Sequence, residues 1–207
     1  MKIYIIRHGE TDWNQTRRMQ GRKDVPLNAF GRHLAEETRK ALLEVSFDAV
    51  YTSPLERAKE TAQIVSGGRA PILCDERLIE MSFGIYEGLS AAKDSWNIPD
   101  LAFQNFFDAP DKYVPPTEGE SFEEAKRRLE AFMKELREKQ LKTVLLSTHG
   151  AALCALLNLV VKKKELSAVW DGGVHKNCAV TILEDDGMNY QILEENHTYY
   201  KDIVKPW

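Results

Sequence analysis

The chain has 207 residues, 43% hydrophobic and 29% charged, with a formal net charge of −4. That length suits one domain able to bury a core without disulfide or metal staples, and the composition excludes a disordered or membrane-embedded chain. The acidic balance gives nucleic acid no general attraction, although local Arg and His can still hold a small anion. Met1-Lys2-Ile3-Tyr4 lacks a signal-peptide pattern and no apolar run approaches a transmembrane length, so the expectation is a cytoplasmic protein with neither nucleic-acid nor membrane partners. Cys74, Cys154 and Cys178 are widely spaced and read as buried thiols.

Lys2-Ile3-Tyr4-Ile5-Ile6 is short and apolar on both faces, the pattern of a strand in mid-sheet. It runs into Arg7-His8-Gly9-Glu10-Thr11, which puts His8 at the carboxyl edge where open α/β sheets bind ligands. Gly9 reads as a sharp backbone turn. Residues 12–28 lack periodicity and predict a long functional loop carrying Asn14, Arg17, Arg18, Gln20 and Gly21. Leu34, Thr38, Ala41, Leu42 and Val45 then recur at helical spacing, and residues 47–52 form a strand.

Ser53-Pro54-Leu55-Glu56 reads as a capping box with Ser53 as N-cap. Arg57 in the first turn then leans back toward the edge that carries His8. A short strand near Ile72 and Leu73 precedes a loop over 78–88 that carries Glu80. Residues 90–119 break the alternation and concentrate Trp96, Phe103, Phe106, Phe107 and Tyr113; they read as an inserted cap whose rings pack on one another. Ser121 and Glu124 make a second capping box for a helix to about 140, with Phe122, Ala125, Leu129, Phe132, Met133 and Leu136 as its apolar stripe.

Residues 143–147 form another buried strand, running into Thr148-His149-Gly150 and an apolar helix over 151–161. Residues 179–183 and 190–193 flank Asp185-Asp186-Gly187 as a terminal antiparallel hairpin, and 199–207 read as a tail. The whole predicts an α/β fold: a three-layer α/β/α sandwich with a mostly parallel sheet, one domain over 1–207, and a short cap insertion at about 90–119.

Arg7, His8, Arg57 and His149 thereby converge on one edge. Two guanidinium groups, two imidazoles and free N–H groups at a helix start suit a dianionic phosphoryl group. A metal held by His8, Glu10 and Asp12, which alternate along one face, is the competing reading, but the neighbouring arginines oppose a cation. His33 and His197 read as surface residues, and His175 precedes Lys176-Asn177 and a strand.

Arg7-His8-Gly9-Glu10-Thr11, Ser53-Pro54-Leu55-Glu56-Arg57-Ala58, the Glu80 loop and Ser147-Thr148-His149-Gly150, in that order, resemble the histidine phosphatase superfamily. The likeness is to its phosphoglycerate mutase-like branch, which includes alpha-ribazole phosphatases and broad-specificity bacterial phosphatases. The resemblance implies a phosphomonoesterase acting on small-molecule phosphate esters with no cofactor or metal. His8 would be the nucleophile that becomes phosphohistidine, with Arg7, Arg57 and His149 on the equatorial oxygens. Asn14 matches an additional phosphate ligand, Gln20 and Gly21 lie on the same ligand-contacting loop, and Glu80 matches the general acid. A dianion nearby favours the protonated carboxyl that this last role needs. Two alternatives remain: a phosphoglycerate mutase, whose basic and tyrosine residues are missing from Glu80-Met81-Ser82-Phe83-Gly84, and an inactive phospho-ligand binding module. Specificity is expected to lie in the cap and in residues 17–23.

Overall fold

In the computed structural model, which describes residues 1–204, the strands are β1 (Lys2–Arg7), β2 (Ala49–Thr52), β3 (Ile72–Cys74), β4 (Thr143–Thr148), β5 (Val180–Asp185) and β6 (Tyr190–His197). They form one sheet in the order β3-β2-β4-β1-β5-β6. β1 to β4 are parallel, while β5 and β6 turn back antiparallel as the expected hairpin. The helices are α1 (Asp12–Gln15), α2 (Ala29–Ala41), α3 (Glu56–Ser66), α4 (Asn105–Asp108), α5 (Phe122–Glu138) and α6 (Gly150–Ala155).

Strand periodicity sorts the side chains into two cores. Ile3, Ile5, Tyr51, Val144 and Leu146 pack with Leu129, Phe132, Met133 and Leu136 of α5. Tyr4, Ile6, Val50 and Leu145 pack on the other face with Leu34 and Ala35 of α2 and Ala62 and Val65 of α3. β1 is therefore apolar on both faces because both are covered, giving the predicted three layers. All six predicted stripe residues of α5 are buried, each large one contributing about 1.5–3 kcal/mol by area removed from water. The Ser121–Glu124 capping box starts this helix as read.

Several elements depart from the sequence reading. Ser53 does not cap α3: the helix starts at Glu56, whose N–H is bound by the Asp24 carboxylate at 2.8 Å, so a distant loop residue sets the boundary. The 12–28 loop opens with the single-turn α1, which Thr11 and Asn14 cap reciprocally. The helix predicted over 151–161 widens after α6 into a π-helical turn over Leu156–Val161. There Asn158 Nδ2 donates to the Val169 and Asp171 carbonyls at 2.8 and 3.1 Å, tying down the loop that carries Trp170. Cys154 and Cys178 are buried, but Cys74, on edge strand β3, is exposed. The tail is anchored, with Tyr200 donating its hydroxyl to the Asn177 carbonyl at 2.5 Å and Val204 buried. Residues 205–207 lie outside the described residues.

The cap is built from short helical turns, and its rings do pack on one another. Phe106 lies 5.7, 5.1 and 4.9 Å, centroid to centroid, from Phe103, Tyr113 and Phe107. It also meets Phe83 at 5.1 Å and Trp170 at 5.1 Å, which joins the cap to the sheet's carboxyl edge.

Candidate active site

Strand register brings the two His-Gly motifs together. The β1–β4 ladder ends at Arg7 opposite Thr148, so His8 and His149 leave adjacent strands side by side, with ring centroids 5.1 Å apart. The His8 N–H donates to the Thr148 carbonyl at 3.0 Å, and the His8 carbonyl accepts from Asn177 Nδ2 at 2.9 Å, clamping the residue's backbone. Gly9 is required for close approach rather than for a turn: a Cβ there would sit 2.7 Å from the Gly31 carbonyl oxygen.

The His8 ring is in a defined state. Its Nδ1 lies 2.7 Å from the Gly9 carbonyl, which can only accept, so Nδ1 carries the hydrogen and Nε2 keeps its lone pair. Burial first, then the positive charges of Arg57 and Arg7, hold the imidazole well below its usual range. His8 is thus a neutral nitrogen base at the wall of a cleft with about 430 Å³ of empty space, part of it open to solvent.

Arg57 is fully buried. Its Nη1 and Nη2 donate to the Lys23 and Gly21 carbonyls, each at 2.7 Å, and its Nε donates to His149 Nδ1 at 3.2 Å. Three of five N–H groups are engaged, leaving one on each Nη. Burial lowers its pKa to about 10, still far above neutrality, so the charge persists. Arg7 Nη1 donates to the His175 carbonyl at 2.5 Å, while its Nε is buried without a partner. Asn14 Oδ1 accepts from the Thr11 N–H at 3.0 Å, which fixes the amide's orientation and leaves Nδ2 buried and unpartnered. Arg7, Asn14 and Arg57 all line the cleft.

The helix-start N–H groups expected to be free are engaged by carboxylates. Asp24 binds the start of α3, and Glu80 binds the start of α6, its Oε1 accepting from Met81 and Ala152 N–H at 3.0 and 2.8 Å and its Oε2 from Ala151 N–H at 3.1 Å. Glu80 is therefore both a cleft residue and a cap on α6. The His149 ring lies beside His8: Nδ1 accepts from Arg57, and Nε2–H is left to donate to Ser53 Oγ at 2.7 Å. Gln20 and Gly21 line the cleft. Gln20 Oε1 accepts from the Thr11 hydroxyl at 3.0 Å. At Gly21, φ is 52° and a Cβ would collide with Glu87 Oε1 at 2.0 Å. Glu10, offered above as a metal ligand, instead accepts from Gln15 Nε2 and Asn28 Nδ2 at 2.8 and 3.1 Å. Among the described residues no cluster of His, Cys, Asp and Glu could hold a metal ion.

Sequence reading missed Asn177, Ser53's bond to His149, and the cleft's apolar wall of Met19, Phe83, Phe106, Phe107, Trp170 and Val174. Trp170 is held on that wall by its Nε1, which donates to the Phe106 carbonyl at 2.6 Å. His33 and His197 are exposed as expected, and His175 contributes its carbonyl rather than its ring.

The buried imidazoles link stability to pH. Burial holds His8 and His149 well below the ordinary 6.5 and brings His175 to about 4, whereas each takes up a proton near 6.5 on unfolding. Below that pH the unfolded chain binds more protons than the folded one, so stability drops with pH by up to about 1.4 kcal/mol per unit per histidine. Urea midpoints are expected to fall steadily from about pH 7 to about pH 5, above the ordinary carboxylate range. A flat profile would contradict the neutral burial of these rings.

The histidine phosphatase superfamily (branch 1) pattern matches residues 3–198. The "Uncharacterized phosphatase PhoE" of Bacillus subtilis (strain 168) is 35% identical over 157 residues, 75% of each chain. The "Probable phosphoglycerate mutase GpmB" of Proteus mirabilis (strain HI4320) is 31% identical over 169 residues, covering 78% of this chain and 75% of its own. Among solved structures, Bacillus stearothermophilus YhfR superposes with a TM-score of 0.87 at 39% identity, over 94% of this chain and 96% of its own. With its two His-Gly strand ends joined in register and its sequence matched from β1 to the end of the hairpin, the chain belongs to the histidine phosphatase superfamily.

Proposed function

We propose that the chain hydrolyses small-molecule phosphomonoesters through a phosphohistidine on His8, without a metal. One observation carries this reading: the lone pair of a neutral His8 Nε2 shares its cleft with two buried donors that lack partners, Arg7 Nε and Asn14 Nδ2. Buried donors without acceptors are costly, and three phosphoryl oxygens would satisfy them together with the remaining Arg57 N–H groups.

In the first step Nε2 attacks phosphorus, the bond from phosphorus to the ester oxygen breaks, and Glu80 gives that oxygen a proton. Glu80 Oε2, which accepts one backbone bond where Oε1 accepts two, is the oxygen assigned to this transfer. In the second step the Glu80 carboxylate takes a proton from water, the water oxygen attacks phosphorus, and the phosphorus–nitrogen bond breaks to release phosphate. Arg7, Asn14 and Arg57 hold the equatorial oxygens throughout. His149 keeps Arg57 in place, and its Nε2–H passes from Ser53 to a phosphoryl oxygen when the ester binds. Gln20 and Gly21 shape the rim.

Beside the phosphoryl position the wall is apolar, and the cations among the lining residues are Arg7 and Arg57. That favours esters whose leaving group is apolar near the ester oxygen, and it offers no separate partner for the adjacent carboxylate of a phosphoglycerate, which weighs against the mutase reading. In this account residues 1–207 act as one domain whose cap closes the cleft. No helix of the described residues is long and apolar enough to cross a membrane, and the buried thiols of Cys154 and Cys178 suit the cytoplasm.

Phosphate release from phenyl, naphthyl and alkyl phosphates, alpha-ribazole phosphate and 3-phosphoglycerate tests this reading with chelator present. Release is expected to be insensitive to the chelator and fastest for aryl esters. Activity lost on chelation, or label moved to a second hydroxyl without free phosphate, would contradict it.

A further inference from the structure

Two buried residues that do not line the cleft, Asn177 and Tyr200, are tied to those that do. Asn177 precedes β5 in a tight turn, closed by the Ala179 N–H on the Lys176 carbonyl at 3.0 Å. The next residue, Cys178, is fully buried with φ at 56°, a left-handed backbone that a residue with a Cβ keeps only where surrounding bonds impose it. Those bonds are present. The Cys178 N–H donates to the Arg7 carbonyl at 3.0 Å, and the Lys176 N–H donates to Asn196 Oδ1 at 3.0 Å. Tyr200, from the segment after β6, donates its hydroxyl to the Asn177 carbonyl at 2.5 Å.

The turn aims the Asn177 amide at two acceptors. A backbone carbonyl can only accept, so the group 2.9 Å from the His8 carbonyl is Nδ2, and its second hydrogen is left for Asn14 Oδ1 at 3.4 Å. The Thr11 N–H, 3.0 Å from the same Oδ1, can only donate. Turning the Asn14 amide over would set its NH2 against both donors. Asn14 therefore keeps Oδ1 inward, and Nδ2 is the end left buried without a partner. One nitrogen of Asn177 thus bridges the backbone of the nucleophile and the side chain of a phosphate donor.

We propose that Asn177 is a positioning residue for phosphoryl transfer, holding Asn14 with Nδ2 toward the phosphoryl oxygens and at a set distance from His8, and that Tyr200 holds the turn that carries it. The inference rests on the phosphomonoesterase reading for the roles of His8 and Asn14. Neither positioning residue touches the ester. The segment after β6 is then part of the catalytic architecture, and it reaches the phosphate site through Asn177 by two hydrogen bonds in series.

Calorimetry with inorganic phosphate, which binds without turnover, tests the coupling in a double-mutant cycle. Asn14→Ala and Asn177→Ala should each weaken phosphate binding about tenfold, the scale of one hydrogen bond to a charged group. The double variant should be weaker than Asn14→Ala by no more than about twofold. A merely structural role for Asn177 would instead lower affinity by the same factor in both backgrounds. Tyr200→Phe removes one hydroxyl and keeps the ring; it should weaken phosphate binding about threefold in the unsubstituted chain and leave Asn14→Ala unchanged. In either variant that melts cooperatively, binding unchanged, or lost by an equal factor in both backgrounds, would overturn the proposal. Phenyl phosphate turnover by the unsubstituted protein separates this proposal from the reading beneath it. Turnover with uncoupled losses overturns the positioning alone, whereas coupled phosphate binding without turnover overturns the hydrolase reading and leaves the positioning of Asn14 standing.

Discussion

His8→Ala is expected to stop phosphate release, lowering kcat by roughly four to six orders of magnitude, the scale seen when a covalent nucleophile is removed. The protein should still unfold cooperatively. The ring lines the cleft rather than either apolar core, and its one direct hydrogen bond among the described residues is to the neighbouring Gly9 carbonyl. The clamps on its backbone, from Thr148 and Asn177, do not involve the side chain and survive the change. Steady-state hydrolysis of phenyl phosphate, with the circular dichroism melt as control, checks both halves. Hydrolysis retained within about tenfold would remove His8 from the chemistry, because a tenfold change corresponds to only about 1.4 kcal/mol of barrier.

Arg57→Ala should damage both catalysis and the fold. Losing a donor to the transferring oxygens costs about 10²–10³ in rate by itself. The same guanidinium holds the Gly21 and Lys23 carbonyls and the Nδ1 of His149, all left without that donor in the variant. Buried acceptors without donors cost about 1–3 kcal/mol each, so a loss of roughly 2–5 kcal/mol in unfolding free energy accompanies the loss of activity. Arg57→Lys should rescue little, because an ammonium has no planar fork to reach two loop carbonyls and an imidazole at once. Denaturant midpoints and kcat/KM measured on both variants check this. A lysine variant near full activity would mean that Arg57 supplies charge alone.

The parts of this site that depend on local pattern were legible in the sequence. The apolar run of β1 and the alternation that follows it placed His8 and His149 at one sheet edge, and the pairing of Arg7 with Thr148 is the register that makes them neighbours. The capping box at Ser121 and the stripe of α5 were equally local. What was not legible arises from contacts between distant segments. Ser53 has the right spacing for a cap, yet Asp24 reaches across to start the helix and Ser53 turns to His149. Glu80 has no mark in sequence that it caps α6, because its bonds to Ala151 and Ala152 cross about seventy positions and exist only after β4 is in place. Asn177 precedes β5 in a loop without a pattern, and only the antiparallel return of that strand brings it under His8. The cap's aromatics were seen as a cluster, but that Phe106 and Phe107 also face the cleft follows from their packing against Phe83 and Trp170.

The covalent intermediate is the claim on which the rest depends, and rapid acid-free quenching with an ester labelled in its phosphoryl group tests it most directly. The account predicts one acid-labile, base-stable phosphoryl group per chain, on Nε2 of His8, that appears before phosphate is released and is missing from His8→Ala. Label on His149 or Glu80 instead, or turnover in which no labelled protein forms at any time, would contradict it.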